Sequence, residues 1–171
     1  MSAKTSPKCK FINGTSLILG IISLMVRMFS VSITGEPYDM LHKLDGNNIV
    51  PPVWILNLSL NLVYFIAGYA AGIVSNTVAS GYINCEEKMS AYRGGMYFIA
   101  AYFLTLIHYP LFFVSEKLSV SLIVIVITLI SLTICIYSWA KISSSAALIL
   151  TVYFIISIYL FFINLFILMN N

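Results

Sequence analysis

One apolar segment of the sequence carries residues that can bind a ligand inside a membrane. It begins at Pro51 and Pro52, which suit the first turn of a helix because no backbone N–H is needed there, and continues to about Val74. Lipid cannot satisfy amides and phenols, so a polar stripe on such a helix must face protein, water or ligand. Helical spacing places five polar, aromatic or small residues on one face: Trp54, Asn57, Asn61, Tyr64 and Gly68. We therefore predict that this face is one wall of an intramembrane site.

Two further apolar segments supply side chains for the same site. His108 lies in the third segment, and Tyr153 and Asn164 lie in the fifth. Ring faces with a few hydrogen-bonding groups are what a flat aromatic ligand requires. His108 can contact a haem iron or a carboxylate, although its more ordinary role is a hydrogen bond to a neighbouring helix. No second His, Asp or Glu stands at ligand spacing around it, so no metal site is predicted.

The composition is that of a polytopic membrane protein. Of the 171 residues, 60% are hydrophobic and 9% are charged, against roughly 25% charged residues in soluble domains. We predict an all-α integral membrane protein, a single domain built as a five-transmembrane-helix bundle. Residues 75–95 are predicted to form a polar loop with a flexible Gly94-Gly95 pair. The predicted spans are about 11–33, 51–74, 96–114, 118–140 and 146–168.

Polar stripes on the last two spans predict a shared interior. The fourth span carries Thr128, Ser131, Cys135 and Ser138, and the fifth carries Tyr153, Ser157, Leu160 and Asn164 at helical spacing. Lys and Arg are more frequent on the N-terminal side of the predicted bundle, so the positive-inside rule places the N-terminus in the cytosol.

Two features of the first two spans leave alternatives open. Arg27 lies roughly two turns before the end of the first span; we expect its side chain to reach the membrane interface, and the alternative is an ion pair with Glu36 or Asp39. Gly68-x-x-x-Gly72, with Ala71 beside it, lets another helix approach closely. That approach serves packing within one bundle or a dimer face, and the motif cannot choose between them.

The types of residue in the spans also favour some classes of function over others. A small ion-coupled transporter predicts acidic residues within its spans, and every Asp and Glu falls in a predicted loop. No nucleophile–base pair or acid pair is present, so an enzyme is not expected. A structural or assembly role stays open, because the glycine motif and the aromatic helices suffice for it.

Four motifs in register resemble the TspO/MBR family of tryptophan-rich sensory proteins and mitochondrial translocator proteins. Span two carries Pro51-Pro52-x-Trp54 with Tyr64 and Gly68-x-Ala70, and Tyr38-x-x-Leu41-x-Lys43 precedes it. Residues 104–113 and 146–153, with Asn164, resemble the family's third and fifth spans. The resemblance covers the chain from roughly Gly14 to its C-terminus and implies a five-helix membrane receptor.

The resemblance implies ligands and partners that the residues alone do not give. Tetrapyrroles (porphyrin or haem), sterols or similar flat apolar molecules would bind between the helices, without an obligatory cofactor, with assisted transport or turnover as a further role. Tyr38, Leu41 and Lys43 would belong to a lid loop, and the membrane would be a mitochondrial outer membrane in a eukaryote or an envelope membrane in a bacterium. The expected partners are the bilayer, the ligand and, if the glycine motif forms a dimer face, a second copy of the chain. Leu60 and Ile156 replace family tryptophans, so porphyrin breakdown is not expected.

Overall fold

Five long helices make up the protein. The computed structural model describes residues 14–34, 52–113, 115 and 117–170, and each helix there is long and apolar enough to cross a membrane. The predicted all-α five-helix membrane fold is thereby confirmed. The helices are α1 (Gly14–Thr34), α2 (Val53–Ala79), α3 (Cys85–Phe113), α4 (Leu118–Ala140) and α5 (Ser144–Asn170).

The predicted loop over residues 75–95 is wrong. Helix α2 continues to Ala79 and α3 begins at Cys85, so only residues 80–84 separate them. The sequence holds a start signal that explains this: the Asn84 side chain accepts a hydrogen bond from the Glu87 N–H (2.8 Å), and Glu87 Oε2 accepts one from the Asn84 N–H (2.9 Å). Such a reciprocal cap satisfies two N–H groups at a helix N-terminus. The Gly94-Gly95 pair consequently lies within α3.

The helices are arranged as a ring with one loose seam. Helix α1 packs along α2, α2 along α5, α5 along α4 and α4 along α3, whereas α1 and α3 barely touch. Helix α2 lies behind the seam and contacts α3 lightly. The gap between α1 and α3 is therefore a groove on the outside of the bundle, with α2 at its base.

Glycines bring α1 and α2 close together. A Cβ on Gly68 would lie 2.3 Å from the Leu19 carbonyl oxygen, and one on Gly72 would lie 2.4 Å from Ser16 Cα. Backbone atoms cannot move aside easily, so both positions require glycine for the helices to approach this closely. Of the two roles open to this motif, the structure thus shows packing within one bundle. The dimer stays a prediction.

The polar stripes on α4 and α5 face inward, as the sequence predicts. All four stripe residues of α4 are buried, and so are Tyr153, Ser157, Leu160 and Asn164 of α5. The Asn164 amide hydrogen-bonds with the Ser121 hydroxyl at 2.9 Å and thereby links α5 to α4. Buried amides and hydroxyls need such partners in a membrane, where lipid offers none.

Candidate ligand-binding site

The seam between α1 and α3 forms a groove that we call the α1–α3 groove. Its volume is about 260 Å³, and α2 forms its floor through Gly68 and Ala71. Ile22, Ile99 and Phe103 are exposed along it, which opens the groove toward lipid. The complete lining is Leu19, Ile22, Ser23, Val26, Gly68, Ala71, Phe98, Ile99, Tyr102 and Phe103.

A pair of hydroxyl groups crosses the groove. The Ser23 hydroxyl donates to the Tyr102 oxygen at 3.1 Å, and the Tyr102 hydroxyl donates to the Ser23 carbonyl at 3.2 Å. These contacts join α1 to α3 where the two helices otherwise barely meet. An apolar groove with one such polar contact suits a flat apolar ligand that carries a few hydrogen-bonding groups.

Arg27 does not reach the membrane interface. Its side chain is 1% exposed, and the guanidinium carbon lies 4.0 Å from the centre of the Tyr109 ring and 5.8 Å from that of Tyr64. The expected snorkelling is therefore wrong: two phenol rings hold the cation in the interior by cation–π attraction, which is worth about 0.5–2 kcal/mol per pair. The alternative partners Glu36 and Asp39 lie outside the described residues.

Several buried polar atoms on α1, α2 and α3 have no hydrogen-bond partner within the described ranges. They are Nε and one terminal nitrogen (Nη1) of Arg27, the Tyr64 hydroxyl and Nε2 of His108. The His108 ring stacks on Phe112 with its plane inclined by 12°. The ordinary role expected for His108, a hydrogen bond to a neighbouring helix, is thus not made by Nε2 to any described residue. Buried groups of this kind are rare in native proteins and mark places where a ligand or water can bind.

Two predicted site residues take part in the packing of the bundle. Tyr153 is buried, and its hydroxyl shares a short hydrogen bond with Thr105, whose hydroxyl also donates to the Ala101 carbonyl at 2.8 Å. The Asn164 amide hydrogen-bonds with the Ser121 hydroxyl, as described above. Both side chains thus have a hydrogen-bond partner within the bundle, and each keeps capacity for a further hydrogen bond.

The predicted stripe on α2 is not uniform in depth. Tyr64 and Gly68 are buried, Asn57 and Asn61 are half-buried, and Trp54 is 67% exposed at the start of the helix. Pro52 is exposed next to Trp54, and it precedes the helix rather than occupying its first turn. Pro51 and the lid residues Tyr38, Leu41 and Lys43 lie outside the described residues. The structure therefore brings Tyr64 and Gly68 of this stripe to the interior and leaves Trp54 at the periphery.

Sequence reasoning did not find the face that α1 contributes. Its buried residues are Ser16, Gly20, Ser23 and Arg27, spaced i, i+4, i+7 and i+11. That spacing is a helix face of small and polar residues, the same signal that identified the inward faces of α2, α4 and α5. Arg27 ends this face, and its position there predicts an inward-pointing cation.

One comparison with known proteins identifies a protein family over nearly the whole chain. The model of the TspO/MBR family matches residues 6–169. Neither the comparison with curated proteins nor that with solved structures gives a match.

Proposed function

Because the chain belongs to the TspO/MBR family, we propose that it is a membrane receptor for a flat, largely apolar ligand. The ligand enters the α1–α3 groove directly from the bilayer. Tetrapyrroles and sterols are the two classes that the family resemblance suggests, and assisted movement of the ligand within the membrane is compatible with such a site.

The groove itself is the observation that carries this proposal. It is apolar, it opens toward lipid, and Ala71 leaves space at its floor because its side chain is small. Its volume of about 260 Å³ lies just below the range of roughly 300–1,000 Å³ that encloses a drug-sized ligand. A flat molecule therefore inserts one edge between α1 and α3, while its remainder stays in contact with lipid.

Binding without chemical conversion is part of the proposal. Leu60, which replaces a family tryptophan, is buried in an apolar cluster with Leu56 and Phe112, and Ile156 packs against the same cluster. These aliphatic side chains fill space without offering an aromatic ring to a ligand. A bound porphyrin should accordingly leave the protein unchanged.

The test fills the groove and measures binding. The wild-type protein in lipid nanodiscs is titrated with protoporphyrin IX, and saturable quenching of tryptophan fluorescence reports binding. Ala71→Phe places a ring in the floor of the groove and should abolish the saturable component. Leu62→Phe is the matched control, because Leu62 is an exposed residue on the same helix, and it should bind as the wild type does.

Folding and conversion are followed in the same samples. Helical circular dichroism and size-exclusion elution must be unchanged in both variants for the comparison to count. The porphyrin absorbance spectrum should be the same before and after illumination. Absence of saturable quenching in the wild type, or equal quenching in Ala71→Phe, would contradict the proposal.

A further inference from the structure

The buried guanidinium of Arg27 has donors without acceptors. An arginine side chain has five N–H donors and no acceptor, and Nε and Nη1 find no acceptor in the described part of the chain. A charge buried in this way is costly unless it is paired. Among the described residues the acidic side chains are Glu86 and Glu87, in the first turn of α3, roughly 34 Å along the helix from Tyr109.

The two phenol rings pack against the guanidinium but leave its Nε and Nη1 nitrogens without a hydrogen bond. Cation–π attraction uses the ring faces of Tyr109, at 4.0 Å, and of Tyr64, at 5.8 Å. A carboxylate binds arginine differently, through two parallel N–H···O bonds at the edge of the planar guanidinium. Nε and Nη1 lie on different edges of the guanidinium, and a bidentate contact would also need Nη2, so each of these two nitrogens can donate one hydrogen bond to a carboxylate oxygen.

Arg27 lies directly beside the α1–α3 groove. It follows Val26, which lines the groove, and it lies one helical turn beyond Ser23. The Tyr64 ring, against which the guanidinium packs, meets the groove residue Tyr102 edge-on with ring centres 5.3 Å apart. Tyr102 lines the groove and Tyr64 lies between it and the cation, so two aromatic rings connect the groove with Arg27, and the unpartnered hydroxyl of Tyr64 is a second donor beside that cation.

We propose that Arg27 anchors a carboxylate of the ligand, so that the groove selects apolar acids over neutral lipids. This inference rests on the proposed function and narrows it. A planar molecule whose ring edge lies in the groove directs an acidic side arm along Tyr64 and Tyr102 to Arg27. A tetrapyrrole with propionate arms and a fatty acid both carry this chemistry, whereas a sterol offers a hydroxyl group alone.

The decisive measurement compares an acid with its ester on one ring. Wild-type protein in nanodiscs is titrated with protoporphyrin IX and with its dimethyl ester, and partition into empty nanodiscs is subtracted. Hydrogen bonds to a charged group predict an affinity about 10- to 100-fold higher for the acid. Equal affinity for acid and ester in the wild type would overturn the anchor and leave the proposed function standing. Saturable binding of neither compound would instead overturn the proposed function.

Two variants assign the preference to Arg27. Arg27→Gln should bind the acid and the ester equally, with the affinity for the ester unchanged. Arg27→Lys keeps the charge without the planar fork and should retain part of the preference. If Arg27→Gln keeps the wild-type preference, the anchor is elsewhere and the proposal fails. The comparison of acid and ester in the wild type can refute the anchor by itself, so the proposal stays testable even if a variant misfolds.

A purely structural role for Arg27 predicts a different pattern. It predicts that Arg27→Gln lowers affinity for acid and ester alike and lowers the unfolding midpoint of the ligand-free protein. The anchor predicts loss of the acid affinity alone, with the ligand-free midpoint unchanged or raised. Competition with oleate then separates the two sources of carboxylate: displacement of protoporphyrin from the wild type extends the anchor to fatty acids, and lack of displacement confines it to the tetrapyrrole acid.

Discussion

The two sides of the bundle differ in whether their buried polar groups have hydrogen-bond partners. On the closed side, where α3, α4 and α5 pack together, Asn164 has Ser121, Tyr153 has Thr105, and Trp139 donates to the Ala91 carbonyl at 3.4 Å. On the open side, at the α1–α3 groove, Arg27 and Tyr64 hold polar atoms without a partner in the described part of the chain. The polar residues named on the closed side thus stabilise the fold, whereas Arg27 and Tyr64 on the open side keep hydrogen-bonding groups that a ligand can use.

This contrast shows how burial alone misleads in a membrane protein. Tyr64 and Tyr153 are equally buried, and both occupy inward helix faces. What distinguishes them is whether the hydroxyl group has a partner, because a buried hydroxyl without one gains more from a hydrogen bond to a ligand. Matched substitutions on the two sides can therefore test the contrast directly.

The largest difference is expected between two adjacent glycines of α3. A Cβ on Gly94 would lie 2.4 Å from Trp139 Cδ1, on the closed side, whereas nothing lies within 4 Å of one on Gly95. Gly94→Ala should lower the free energy of unfolding by about 1–3 kcal/mol through overpacking. Gly95→Ala should raise it by up to about 1 kcal/mol, because alanine favours the helix. Unfolding with sodium dodecyl sulfate in mixed micelles measures both, and effects of the same sign would contradict the packing of Trp139 against α3.

An intermediate difference is expected between two asparagines. Asn164→Leu should cost about 1–3 kcal/mol of unfolding free energy, since it leaves the buried Ser121 hydroxyl without the amide. Asn61→Leu, at a half-buried position of α2, should change stability by no more than about 0.5 kcal/mol. It should weaken protoporphyrin binding more than folding. Comparable losses of binding and stability in Asn61→Leu would assign Asn61 to packing.

The smallest difference is expected for two matched tyrosine substitutions. Tyr153→Phe breaks the hydrogen bond with Thr105 and should cost about 0.5–1.5 kcal/mol. Tyr64→Phe removes a buried hydroxyl without a described partner, so the stability of the ligand-free protein should stay the same or rise. The same unfolding titration reports both. If Tyr64→Phe lowers the unfolding free energy as much as Tyr153→Phe does, the Tyr64 hydroxyl has a hydrogen-bond partner in the ligand-free protein, which would contradict the contrast between the two sides.

Much of the fold follows from the sequence, and the reasons are physical. Five long apolar segments leave little choice but a helical bundle, and helical spacing identified the inward faces of α4 and α5. The boundary at Cys85 was misplaced because polar residues suggested a loop, although Asn84 and Glu87 form a cap that starts a helix. Polarity marks where a helix leaves the hydrocarbon, which differs from where it ends.

The site was less predictable than the fold. Tyr64 and His108 are buried with polar atoms that lack described partners, as a binding role requires, but Trp54 lies at the periphery and Tyr153 belongs to the packing. Local spacing gives the face of a helix and does not give the partner that the face meets. Arg27 was assigned to the interface because an isolated arginine near a helix end usually reaches water. Its burial depends on Tyr109, which is 82 positions away along the chain and was not connected with it by any local pattern.

The burial of Arg27 also has a consequence for how the protein enters the membrane during synthesis. An arginine opposes insertion of its span by about 2.5–3.5 kcal/mol at the centre and by less toward an end, and Arg27 lies about two turns from the end of α1. Helix α1 emerges from the ribosome before α2 and α3, whose tyrosines later surround this cation. We therefore expect α1 to be retained poorly on its own and to integrate as a helical hairpin with α2, drawn in by the glycine contacts at Gly68 and Gly72. The residue proposed to recognise the ligand thus makes the first step of biogenesis cooperative.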